Sequence, residues 1–71
     1  MTHDDFFALA ARIFRVDAAT LSASTRKEDL PQWDSINHLR LVMETEAAFG
    51  LHYDLERIPS LTTLGDFLKD I

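Results

Sequence analysis

Seventy-one residues, 46% hydrophobic and 27% charged, suffice for one small domain spanning 1–71, in which an enzyme cleft would be hard to fit. No cysteine is present for a disulfide or thiolate metal site. No apolar run is longer than Phe6 to Ala11, far short of the ~20 residues a bilayer span needs, and no secretory leader pattern appears. The formal net charge of −5 is uneven: residues 1–43 hold six acids against five bases and residues 44–71 six against two, a surface that repels nucleic acid and suits a basic protein partner.

The first segment predicts a helix. Asp4 or Thr2 caps it, Asp4 and Asp5 favour the positive end of its dipole, and Phe6, Leu9, Ala10 and Ile13 form one stripe, widened by Phe7 and Phe14. Arg12 and Arg15 fall near its far end, where cations favour the dipole. From about Asp17 to Trp33 no period survives, and serines, threonines and mixed charges read as a long connection pinned by Leu21, Leu30 and Trp33. Leu30-Pro31 fixes an extended approach to the next element.

That element is a predicted helix from about Ser35 to Phe49, with a start signal at Ser35 and a stop at Gly50. At about 100° per residue it carries two apolar stripes. Leu41, Val42, Thr45, Ala48 and Phe49 form one; Ile36, Leu39, Met43 and Ala47 form another, roughly opposite. A surface helix needs only one stripe, so the second is either extra core or a surface kept for another protein. Thr45 stands where an aliphatic core residue is expected. Further on, Asp54 caps a single predicted turn from Leu55 to Ile58, ended by Pro59. A Thr63-x-x-Asp66 capping box then opens a last helix with Leu64, Phe67, Leu68 and Ile71 as its core stripe.

Asp34-Ser35-Ile36, followed by Leu39, Leu41-Val42-Met43, Glu44, Glu46 and Phe49, resembles the Asp-Ser-Leu segment and second helix of acyl carrier proteins. Thr62-Thr63-Leu64-Gly65-Asp66-Phe67 resembles the start of that family's last helix; the resemblance is specific over about half the chain and a matter of pattern in the rest. It implies an all-α, antiparallel four-helix bundle with a long first loop and a short third helix. It also implies 4′-phosphopantetheine, from coenzyme A, esterified to Ser35, with its thiol holding an acyl or aminoacyl thioester. Asp34 is then the aspartate beside which a phosphopantetheinyl transferase and its Mg²⁺ act during loading. Ile36, Leu39, Arg40, Met43, Glu44, Ala47 and Ile58 become the positions that meet acyl-loading and acyl-processing enzymes such as ligases, acyltransferases, synthases and thioesterases. Arg40 departs from the acidic or neutral run of fatty-acid-synthase carriers, which favours a dedicated carrier of a specialised pathway; a Met1 start and compact ends suggest a free-standing protein, with a monomer in the cytoplasm as the default expectation.

The residues have plainer readings too. Ser35 at a helix start caps amides, and the same free amides and dipole favour a phosphodiester on its oxygen, so one site serves both roles. Asp34 is also a turn-maker. His38, three residues after Ser35, invites a hydrolase reading, but there is no G-x-S-x-G elbow or walled substrate site, so no catalytic residue is assigned. His3, His38 and His52 are too scattered for a metal site and read as surface or core-edge side chains. Leu41, Val42, Phe49, Ile58 and Leu61 either line an acyl cleft or fill the core. Within carriers the alternative is a peptidyl or aminoacyl carrier, although those usually have glycines where this chain has Pro31-Gln32-Trp33-Asp34. Outside carriers it is an unmodified helical interaction module, and an enzyme comes last.

Overall fold

Thr2 opens the first helix. In the computed structural model, which describes residues 2–71, its hydroxyl accepts the Asp5 amide while the Asp5 carboxylate accepts the Thr2 amide, a reciprocal box that starts α1 (His3–Phe14). Of the two expected caps, Thr2 is therefore the one used. Arg15 ends the helix in the left-handed region (φ 58°), with its amide on the Ala11 carbonyl. Phe6, Leu9, Ala10, Ala11, Ile13 and Phe14 are buried, and Phe7 is half-buried at the edge of the stripe.

The long connection is ordered by hydrogen bonds rather than by period. It holds two 3-10 turns, Ala18–Thr20, capped by the Asp17 carboxylate, and Lys27–Asp29. Its backbone pairs with the approach to the last helix: Lys27 donates to the Thr62 carbonyl at 2.9 Å, Leu64 to Thr25 at 3.0 Å and Gly65 to Ala23 at 2.8 Å. A side chain at Gly65 would put its Cβ 2.8 Å from the Ala23 carbonyl oxygen, so the close approach requires glycine. Leu21 and Trp33 anchor the connection in the core, and Leu30 is half-buried.

Helix α2 (Ser35–Phe49) has the expected limits, ending at Gly50 with φ 64°. Only part of its expected core stripe is covered. Leu41, Val42 and Thr45 are buried, Phe49 is half-buried and Ala48 is exposed, and that end of the face lines an open pocket with Leu51, Asp70 and Ile71. The Thr45 hydroxyl is buried without a hydrogen-bond partner, consistent with a polar atom placed where the pattern asks for an aliphatic one.

The third connection differs from expectation. Residues 55–57 form a turn closed by Arg57 donating to the Asp54 carbonyl at 2.9 Å, and the helical turn is a 3-10 turn at Ile58–Ser60. Proline at 59 supplies no amide for an α-helical bond, so the short element forms around it with i to i+3 bonds from Ser60 and Leu61. Helix α3 (Leu64–Leu68) opens on the Thr63–Asp66 box. Burial raises the Asp66 pKa, but amide donation from Thr63 and Thr62, the Thr63 hydroxyl and nearby Lys69 outweigh it and hold the carboxyl below its ordinary value. Ile71 lies beyond the helix and only half-buried. Among the described residues the architecture is thus three α-helices joined by 3-10 turns, without strands, and no helix is long and apolar enough to cross a membrane.

Phe67 holds this arrangement together. The rings of Tyr53, Phe6, His38 and Trp33 lie 5.6, 5.7, 6.1 and 6.4 Å from its own, drawing α1, the long connection, α2 and the third connection onto a five-residue helix too short to be stable alone. Tyr53 is buried, and its hydroxyl donates to the Phe67 carbonyl at 3.0 Å. Burial, with a smaller contribution from Asp70, pushes the Tyr53 pKa up to about 12.

Candidate functional site

The first turn of α2 brings together most of the singled-out residues. The capping bond there belongs to Asp34: its carboxylate accepts the Asn37 amide at 2.8 Å and its carbonyl accepts the His38 amide at 2.8 Å. Ser35 is the first residue inside the helix, not its cap, which corrects the shared-role reading. Its exposed side chain is not consumed by the helix start. The amides of Ser35 and Ile36 lack an intrahelical acceptor, as the first amides of any helix do, and they face the positive end of a 15-residue dipole.

Behind this turn lies a polar lock that the sequence reading missed. The Trp33 indole Nε1–H donates to His38 Nδ1 at 2.9 Å, and His38 Nε2 lies 2.8 Å from the Ile58 carbonyl oxygen. Because Nδ1 accepts, the neutral Nε2–H tautomer satisfies both contacts, with Nε2–H donating to Ile58. His38 is buried, deeper than the surface or core-edge position expected, and its ring stacks on Trp33 at 6.0 Å. Trp33 precedes Ser35 by two residues and His38 follows it by three, so the lock fixes the chain on both sides of the exposed serine. The short interval Trp-x-x-x-x-His was the available signal; nothing in it said that the two rings share one face of the core.

The expected docking residues divide. Ile36, Leu39 and Met43 are 71%, 51% and 66% exposed, and with exposed Ala47 they form one apolar face running away from Ser35. Ile58 is half-buried on the neighbouring 3-10 turn, tied to α2 through its carbonyl. Glu44 leaves that face: its carboxylate meets the Arg12 guanidinium of α1 at 2.9 Å. Arg40 is exposed and lines a groove of about 520 Å³ between the end of α1 and the start of α2, together with Ile13, Phe14, Arg15, Gln32, Asp34 and Asn37. Leu41, Val42 and Leu61, candidates for an acyl cleft, are buried side chains of the core.

Among the described residues no three histidines or carboxylates converge as a metal site. Glu46 lies near His52 but is held by the Tyr53 amide at 2.8 Å, a tie that shapes the chain after α2. No protein-family model matches this chain, and no curated protein matches it.

Proposed function

We propose that this chain is an acyl carrier: Ser35 bears 4′-phosphopantetheine and the domain presents a thioester-linked acyl or aminoacyl group to partner enzymes. The observation that carries the reading is the division of labour at the start of α2, where Asp34 takes the capping bond and leaves an exposed serine hydroxyl beside two unused amides. A phosphodiester on that oxygen gains the dipole and those amides and disturbs no packing. The small helical domain is compatible with the reading, which takes the 3-10 turn Ile58–Ser60 as the counterpart of the family's short third helix.

In loading, the Ser35 oxygen attacks the phosphorus that bears the pantetheine in coenzyme A. The oxygen–phosphorus bond forms, the pyrophosphate bond breaks, adenosine 3′,5′-bisphosphate leaves and the hydroxyl proton passes to a base of the transferase, which brings its own Mg²⁺. When bound, the group supplies a thiol on a flexible arm, to which cargo is joined as a thioester. The chain contributes no catalysis. Asp34 holds the turn, the Trp33–His38–Ile58 lock keeps it rigid, and the Ile36–Leu39–Met43–Ala47 face offers a partner an apolar contact that adaptable Met43 fits to more than one surface. A cytoplasmic, monomeric carrier of a specialised pathway is the setting this reading favours.

Incubation with coenzyme A, Mg²⁺ and a broad-specificity phosphopantetheinyl transferase tests it by intact mass. A gain of one phosphopantetheine in the wild type and none in Ser35→Ala is expected. No gain under conditions that load a control carrier overturns the reading in favour of an unmodified interaction module, the alternative that the same exposed face supports.

A further inference from the structure

On a chain with five more acids than bases, cations are expected to find carboxylates, and most do. Arg12 pairs with Glu44, Arg26 with Glu28 and Asp29, Arg57 with Asp70 and Lys69 with Asp66. Among the described residues Arg15, Lys27 and Arg40 have no such partner, and two of these three line the same groove. The nearby carboxylates form no ion pair with either groove arginine. Glu44, one helical turn beyond Arg40 and its natural i to i+4 partner, is drawn off to Arg12; Asp34, in the groove wall, accepts the Asn37 amide; Asp17 accepts the Ala19 amide.

The groove's other features restrict what would satisfy those guanidiniums. Ile13 and Phe14, both buried core residues, give it an apolar floor, while Gln32 and Asn37 make its rim polar. Asn37 is itself fixed, donating to the Gln32 carbonyl at 2.8 Å. Apolar floor and cationic rim match a carboxylate on a short aliphatic stem, which a guanidinium recognises through paired N–H donors. Asp34 contributes to the wall and Ser35, next to it in the chain, does not. Arg40 stands five residues into α2 from Ser35, about 7.5 Å along the helix axis.

We propose that this groove receives the free carboxylate of an acidic acyl cargo carried from Ser35, held between Arg15 and Arg40. The proposal rests on the carrier reading and adds to it a cargo class, the dicarboxylic acyl groups. Holding the far carboxylate on the domain keeps such a cargo folded against the protein until a partner, docking on the adjacent apolar face, displaces it.

The test loads the whole chain from three donors, coenzyme A, pentanoyl-coenzyme A and glutaryl-coenzyme A, and confirms each product by intact mass. The arginine Nε–H signals are then compared by ¹⁵N-edited NMR, with the ion-paired Arg12, Arg26 and Arg57 as internal references. Displacement of the Arg15 and Arg40 signals in the glutaryl form alone is expected, with that of Arg15 lost in Arg40→Gln and partly retained in Arg40→Lys. An equal displacement by the unacylated arm shows that the groove reads the phosphodiester, an equal displacement by the pentanoyl arm shows that it reads the chain, and no displacement by any form shows that it binds neither; each overturns the proposal while the mass gain leaves the carrier reading standing. Absence of the mass gain removes both.

Discussion

The Trp33–His38–Ile58 lock makes the sharpest energetic claim on this fold, and a double-mutant cycle isolates it. His38→Leu strips a buried indole N–H of its acceptor at 2.9 Å and a half-buried carbonyl of its donor at 2.8 Å. Leaving one buried donor unpaired costs about 1–3 kcal/mol, and the carbonyl, closer to water, costs less, so the variant should lose about 2–3 kcal/mol. Trp33→Phe leaves His38 Nδ1 without a donor and shrinks a ring stacked 5.3 Å from Phe14, for a similar loss. For a domain of this size total stability is roughly 4–11 kcal/mol, so each single variant should remain folded, with a melting temperature lower by about 4–8 °C per kcal/mol. In the double variant the two orphaned groups vanish together. Its loss should fall short of the sum of the singles by about 1 kcal/mol. Urea unfolding followed by far-ultraviolet circular dichroism reads all four proteins on one scale, including those without the single tryptophan. Losses that add to within about 0.3 kcal/mol would show that the bond between the rings contributes nothing and would sink the reasoning.

Two further tests concern parts of the core away from Ser35. Burial raises the Tyr53 pKa from 10.0 to about 12, so the neutral phenol is the favoured form in the fold and its contribution to stability is whole below pH 10. That contribution is lost as pH rises from 10 toward 12. Tyrosinate absorbance from this one tyrosine should therefore appear together with loss of helical signal, and an ordinary titration near pH 10 in an intact fold would contradict the burial argument. The two glycines should separate by mechanism in thermal melts: Gly65→Ala drives a Cβ against the Ala23 carbonyl oxygen at 2.8 Å and should cost about 1–3 kcal/mol. Gly50→Ala meets no atom within 4 Å and incurs only the left-handed backbone strain, about 1 kcal/mol, and the reverse order would refute the close approach as the reason for Gly65.

What the sequence made legible was whatever a local rule specifies. The ends of α2 follow from turn and stop residues at Asp34, Ser35 and Gly50, and the α3 box from the spacing of Thr63 and Asp66. The apolar face of Ile36, Leu39, Met43 and Ala47 follows from helical spacing, as does its opposition to Leu41 and Val42. Hidden were the features set by partners distant in sequence. His38 carries the same polar letter whether it faces water or fills a slot between Trp33 and Ile58, and only the second arrangement makes it part of the core. Glu44 reads as a docking acid until Arg12 of α1 is found beside it. The long connection shows no period because its order comes from short 3-10 turns and from hydrogen bonds to Thr62, Leu64 and Gly65, neither of which leaves a repeating apolar pattern. The turn lies at Ile58–Ser60 rather than at Leu55–Ile58 because Pro59 sits inside the element instead of ending it.

That the middle of the first connection is zipped to the threshold of α3 has a kinetic corollary. An ordinary helical bundle closes short loops and can acquire its helices one after another, but here Thr25 and Lys27 find their partners only when the last third of the chain has arrived. Non-local closure of this kind raises the entropy that must be lost before contacts reward it, so folding should be slower than helix content alone suggests. A nascent chain still missing its final helix would leave the stretch of loop between Ala23 and Lys27 unsatisfied and Trp33 without the Phe67 ring beside it.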